Sequence, residues 1–182
     1  MAQASITQPV TGSSATYSTR SYLRDGLLIV SAALMAVTLY MVFMWVPTEQ
    51  NLGVSQRIFY FHVPLGWIGM LSIVVVAVAS LMHLITGKEK WDSLAYATAE
   101  LGVIFATLIL VTGAIWARPV WGVWWTWDPK LTTTLILWFI YVAYLMLRAY
   151  GPQGVQQARY AAVIALMGAV DAFIIYISTF LW

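Results

Sequence analysis

Trp121, Trp124, Trp125 and Trp127, with Trp116 just ahead of them, crowd five of the chain's ten tryptophans into one short stretch. An indole is a flat apolar body with a single N–H donor. It suits a membrane–water boundary or the face of a planar ligand. Pro119 and Pro129 bracket the stretch, and proline is tolerated at a first helical turn but not inside a helix. The spacing therefore predicts a short helix between them, with Trp121, Trp124, Trp125 and Asp128 on one face and Trp127 off it. Three indoles and a carboxylate on one side make a platform. The alternative is an aromatic belt anchoring a loop among lipid headgroups, but belts place fewer aromatics at each helix end. Asp128 either accepts indole N–H bonds or serves as the end residue of a helix that begins at Pro129.

His62 is the second group with chemistry to offer, in Phe59-Tyr60-Phe61-His62-Val63-Pro64. Imidazole near membrane depth needs a partner, and it is the usual axial ligand of heme iron. The competing reading is a histidine hydrogen-bonded at the interface. His83, the other histidine, lies about 31 Å further along the same predicted helix at 1.5 Å per residue. One iron cannot bind both, so His83 is read as interfacial, and a bis-histidine electron carrier is disfavoured. Arg57, Arg118 and Lys130 flank the same region as His62 and the tryptophans. They have the chemistry to hold carboxylates such as heme propionates, or simply to meet headgroups. No cysteine is present, which excludes disulfides, thiolate metal sites, iron–sulfur clusters and a Cys-x-x-Cys-His heme attachment in this chain. No nucleophile–base pair or phosphate-binding loop is visible.

The elements that must position these groups are apolar helices. Of 182 residues 62% are hydrophobic and 9% charged, where a soluble domain has about 25% charged, and the mean hydropathy is +0.81. This is the composition of a membrane protein, and a net charge of +2 is too small to suggest nucleic acid. Residues 1–24 read as a disordered tail rich in Ser, Thr, Gln and Ala, and 25–182 as the membrane domain. Apolar runs at 26–46, 58–85, 94–116, 131–147 and 160–182 are each long enough to span a bilayer core or close to it. An all-α, polytopic bundle of five transmembrane helices is expected. Glu100 and Asp171 fall inside two of these runs, where an ionisable group is costly and hints at an internal partner.

Lys and Arg set the orientation. Arg20, Arg24, Lys88, Lys90, Arg148 and Arg159 fall on one side, against Arg57, Arg118 and Lys130 on the other. The amino terminus is therefore expected to be cytoplasmic, with the tryptophan loop and His62 at the outer face.

Trp121-Gly122-Val123-Trp124-Trp125-Thr126-Trp127-Asp128 resembles the WGxWWxWD motif of the heme-handling membrane proteins of cytochrome c biogenesis, the family that includes CcmC, CcmF and CcsA. The flanks are most similar to the CcmC branch: Arg57-Ile58-Phe59-Tyr60-Phe61-His62-Val63-Pro64, Leu110-Val111-Thr112-Gly113 and Leu131-Thr132. The resemblance implies a protein of the inner (cytoplasmic) membrane that presents heme b as cargo on Trp121, Trp124, Trp125, Trp127 and Asp128, with His62 as an axial ligand. Arg57 and Arg118 stand near it for the propionates. It further implies delivery to a CcmE-type periplasmic chaperone, alongside ABC-type transporter subunits like CcmA and CcmB and a small CcmD-like peptide. The family has a sixth helix and a second outer histidine just beyond helix 5. This sequence stops at Trp182, so it is expected either to be a fragment or to use another second ligand, Met41 and Met44 being conceivable. Asp171 and Phe173 stand where CcmC commonly has Asn and Pro.

Three function classes follow. The first is a non-enzymatic heme-binding and transfer platform. The second is a heme lyase-type enzyme that attaches heme to apocytochrome c, against which two histidines in the whole chain speak. The third is a structural subunit held in lipid by its aromatics, for which changing His62 alters packing alone.

Overall fold

The computed structural model describes residues 19–181. Of the expected tail, residues 1–18 lie outside the described residues, while 19–24 form the first turns of a helix. Among the described residues there are five long helices and no strand: α1 (Thr19–Tyr40), α2 (Phe59–Thr86), α3 (Glu89–Trp121), α4 (Pro129–Tyr150) and α5 (Val155–Leu181). Each is long and apolar enough to cross a membrane, so the protein is an all-α, multi-pass membrane protein as expected. The chain divides into two units, Met1–Val46 and Pro47–Trp182. In the first, α1 passes into a π-helical turn, Met41–Trp45, which ends where the Val46 N–H donates to the Met41 carbonyl.

In the second unit α2 packs on α3 and α5, and α4 packs on α5 and α3, so the four helices close a ring. The helices outrun their apolar runs for local reasons. Gly87, left-handed at φ +65°, caps α2. Only Lys88 then separates it from α3, whose first turn carries Glu89 and Asp92 beside the positive end of the helix dipole. Where the lipid is as apolar as the side chains, close packing rather than hydrophobicity joins helices, and small residues allow it. The core accordingly holds Ala79, Ala95, Ala99, Ala161, Ala165 and Ala172. Gly168 of α5 leaves room for the Tyr141 ring of α4, since a Cβ there would stand 2.7 Å from its Cε2. The Tyr141 hydroxyl donates to the Ala165 carbonyl at 3.3 Å.

At the end of the ring that holds the α2–α3 and α4–α5 connections, Arg148 pairs with Asp92 at 2.9 Å. The pair also places each charge at the favourable end of its own helix. Gln157 donates from Nε2 to the carbonyls of Leu147 and Arg148, capping α4. His83 is buried here, its Nδ1–H directed at the Lys88 carbonyl, 3.2 Å away. It is a structural residue of the turn rather than an open ligand. Glu100 lies on an exposed face of α3. Asp171 is buried on α5, and its Oδ2 has no hydrogen-bond partner among the described residues.

Candidate functional site

At the other end of the ring, the starts of α2 and α4 and the end of α3 enclose a cavity of about 770 Å³. That volume lies within the range of about 300–1,000 Å³ usual for organic ligands and cofactors. From α2 and the turn before it come Ile58, Phe59 and His62. From α3 come Ile109, Leu110, Gly113, Trp116 and Trp121. The loop supplies Trp125, Thr126 and Asp128; α4 supplies Lys130, Leu131 and Thr134, and α5 Ser178. The walls are aromatic and aliphatic, with a few polar groups set among them.

The short helix expected between Pro119 and Pro129 does not form. Pro119 is instead absorbed into the last turn of α3, and Gly122 at φ +79° ends that helix, its N–H donating to the Arg118 carbonyl at 3.0 Å. A left-handed residue at this position is nearly the preserve of glycine. Beyond it, Val123 and Thr126 are β-branched and the tryptophans are weak helix formers, while the residue before a proline is pushed out of the helical region. Asp128 is accordingly extended (ψ 159°) and caps α4, accepting the Leu131 N–H at 3.0 Å. The other carboxylate oxygen accepts the Thr126 hydroxyl at 2.6 Å. Burial by itself would raise the Asp128 pKa. The bonds from Thr126 and from the backbone of Leu131 and Lys130 outweigh it and hold the carboxyl below its usual range.

Without that helix, the expected face dissolves. Trp121 and Trp125 line the cavity. Trp124 and Trp127 do not, and are 58% and 76% exposed. Trp127 meets Trp125 edge-on, with ring centroids 5.9 Å apart. The aromatic wall is completed from elsewhere, by Trp116 between Trp121 (5.2 Å) and Phe59 (5.0 Å). Of the basic residues, Arg118 folds back to donate to the Gly122 carbonyl, and Arg57 sits in the 3-10 turn before α2 without lining the cavity. Lys130, in the first turn of α4, is the cation the cavity holds. Phe59, Trp116 and Thr112 belong with the site although no periodicity singles them out. Phe59 and Thr112 stand in two of the three segments that flank the tryptophan motif in the family resemblance, which is the signal that finds them.

His62 lines the cavity half-buried, with Nδ1 2.8 Å from the Thr112 hydroxyl of α3. Among the described residues no group of three His, Cys, Asp or Glu gathers into a metal cluster.

Fold and cavity together define a multi-pass helical membrane protein with an aromatic, single-histidine cavity at one end of a four-helix ring. The comparison with known families makes it specific: the model of heme exporter protein C matches residues 7–182. The chain belongs to the heme exporter protein C family. It is 35% identical over 156 residues to heme exporter protein C of Bradyrhizobium diazoefficiens, covering 86% of this chain and 59% of that protein. It is 33% identical over 156 residues to that of Escherichia coli K12 (86% and 64%). With a putative cytochrome c biosynthesis ccmC-like mitochondrial protein of Marchantia polymorpha it shares 32% over 149 residues (82% and 63%). The chain thus spans 59–64% of the length of these relatives.

Proposed function

We propose that this chain holds heme b as cargo in the cavity around His62 and passes it on for cytochrome c maturation. The observation that carries the reading is a histidine standing in an aromatic cavity of cofactor size, in a chain whose relatives are named heme exporters. Trp121, Trp125, Trp116 and Phe59 present flat faces and edges to a porphyrin, and His62 supplies one axial bond to its iron. Lys130 is the first choice for a propionate. Arg57 and Arg118, which stand off the cavity, rank behind it. Asp128 acts by fixing the loop. The exposed Trp124 and Trp127 form the surface that meets the next carrier, a CcmE-type chaperone. Residues 25–182 serve as the heme-handling domain behind a cytoplasmic tail. They work in the inner membrane with the tryptophan loop outside, beside CcmA- and CcmB-like transporter subunits and a CcmD-like peptide. The reading is of a transfer protein rather than a heme lyase. Exposure of Trp124 and Trp127 also fits a belt function, so these two serve lipid anchoring as well.

The test is the absorption spectrum and heme content of the detergent-purified protein beside His62→Ala. The parent takes up supplied heme near stoichiometrically, and the variant binds about tenfold or more weaker with a shifted Soret band. Equal uptake and identical spectra in the two proteins would remove His62 from the site.

A further inference from the structure

A histidine becomes an iron ligand only through a ring nitrogen without a proton, and which one that is depends on the hydrogen bond made by the other. The Thr112 hydroxyl settles the matter for His62. Its oxygen lies 2.7 Å from the Leu108 carbonyl one turn back, and 3.3 Å from that of Ile109. A carbonyl only accepts, and a hydroxyl has one proton to give. That proton therefore goes into α3, in the bond to the preceding turn that threonine commonly makes in a helix. Were it turned to His62 instead, two oxygens would face each other at 2.7 Å with no hydrogen between them. The hydroxyl oxygen is left to accept, so the contact at 2.8 Å is His62 Nδ1–H donating to Thr112.

The next residue completes the seat. Gly113 faces His62, and a Cβ there would stand 3.3 Å from Cε1 of the ring, closer than side chains normally pack. We propose that Thr112 and Gly113 of α3 are positioning residues that seat the His62 ring and hold it as the Nδ1–H tautomer, leaving Nε2 as the ligating atom. A histidine side chain free in water favours the opposite tautomer, with the proton on Nε2. The seat therefore reverses a default. Nε2 has no hydrogen-bond partner among the described residues, and His62 lines the cavity. Because the partner is a neutral hydroxyl rather than a carboxylate, it lends the ring little extra basicity, which suits a bond that must be released. This inference rests on the heme reading for what Nε2 binds, but not for which nitrogen carries the proton.

The two are separated by measuring the heme-free protein first. With two histidines in the chain, nitrogen-15 and carbon-13 NMR of histidine-labelled protein gives two ring signatures at neutral pH, and His62→Ala identifies one of them. The parent shows His62 protonated on Nδ1. Thr112→Val, similar in shape but unable to accept, loses that signature in favour of Nε2–H, and Thr112→Ser keeps it. Finding His62 protonated on Nε2 in the parent overturns the proposal without any variant. So does a Thr112→Val spectrum equal to the parent's. Heme titration follows: Thr112→Val binds about tenfold weaker than the parent with a shifted Soret band, and Thr112→Ser restores both. If the parent takes up no heme while the tautomer still follows residue 112, the seat stands and the heme reading falls.

Discussion

His62 and Asp128 both line the cavity, and each is fixed by a threonine: Thr112 by accepting a proton bond, Thr126 by donating one. Asp128 was legible from the sequence as a residue ahead of Pro129 with a capping option. The fixing of His62 was not, because Thr112 is fifty residues away along the chain and only the pairing of α2 with α3 brings it near. Replacing Asp128 with alanine removes the cap and costs about 1 kcal/mol. It should lower the thermal midpoint in detergent and release the tryptophan loop, read as a red shift in fluorescence. Asp128→Asn keeps an acceptor and keeps most of the stability. The pH dependence has a definite sign. A carboxyl whose pKa is depressed by folding contributes stability above its unfolded value and loses it as pH falls through the folded one. The loop should therefore hold through neutral and mildly acid pH and loosen below the ordinary carboxylate range. In Asp128→Asn that acid transition should be absent.

Helix ends decide the shape of the site more than helix interiors do. Gly122 stops α3 and Asp128 starts α4. The residues between are thereby freed from helical spacing, which is why Trp125 joins Trp121 of α3 in facing the cavity while Trp124 turns outward. Periodicity assumed that two prolines must bracket a helix. The outcome followed from a glycine able to take φ +79°. At Gly122 an added Cβ would meet nothing within 4 Å, so Gly122→Ala tests backbone conformation alone. It should cost about 1–2 kcal/mol in thermal unfolding and weaken heme uptake by misplacing Trp125, with His62 untouched. An unchanged midpoint would mean that the turn is not left-handed. Deeper in the ring, Gly168→Ala drives a methyl into the Tyr141 ring. It should destabilise by about 1–3 kcal/mol, without a spectral change in whatever heme remains bound.

The ring of α2 to α5 separates two ends with different tasks. One end is tied by the Arg148–Asp92 pair, with side chains 15% and 13% exposed, and by the His83 and Gln157 bonds to backbone carbonyls. Removing Arg148 leaves a shielded carboxylate behind, and Arg148→Ala should cost about 3 kcal/mol in detergent unfolding. The other end is open and holds the cavity. Because the chain has no cysteine, the proposed orientation can be read with single introduced thiols. Val123→Cys in the tryptophan loop should react with a membrane-impermeant maleimide added to intact cells, and Gln153→Cys between α4 and α5 only after the membrane is opened. The reverse pattern would invert the topology and put the cavity on the cytoplasmic side.

By itself the sequence determined the class of molecule. Five apolar runs admit no fold but membrane-spanning helices, since a backbone in hydrocarbon must satisfy its own hydrogen bonds. His62, the tryptophan motif and its flanks were enough to point to a family. Tertiary structure alone decided which residues meet. Pairing of α2 with α3 set Thr112 and Gly113 against His62 and brought Phe59 to Trp116, and the seating of α4 beside them left Lys130 in the cavity. The physical reason is one of range. Apolar periodicity and capping are local properties that a sequence displays along its length, whereas a cavity wall is made by side chains from separate helices, whose rotation and depth are set by packing between them.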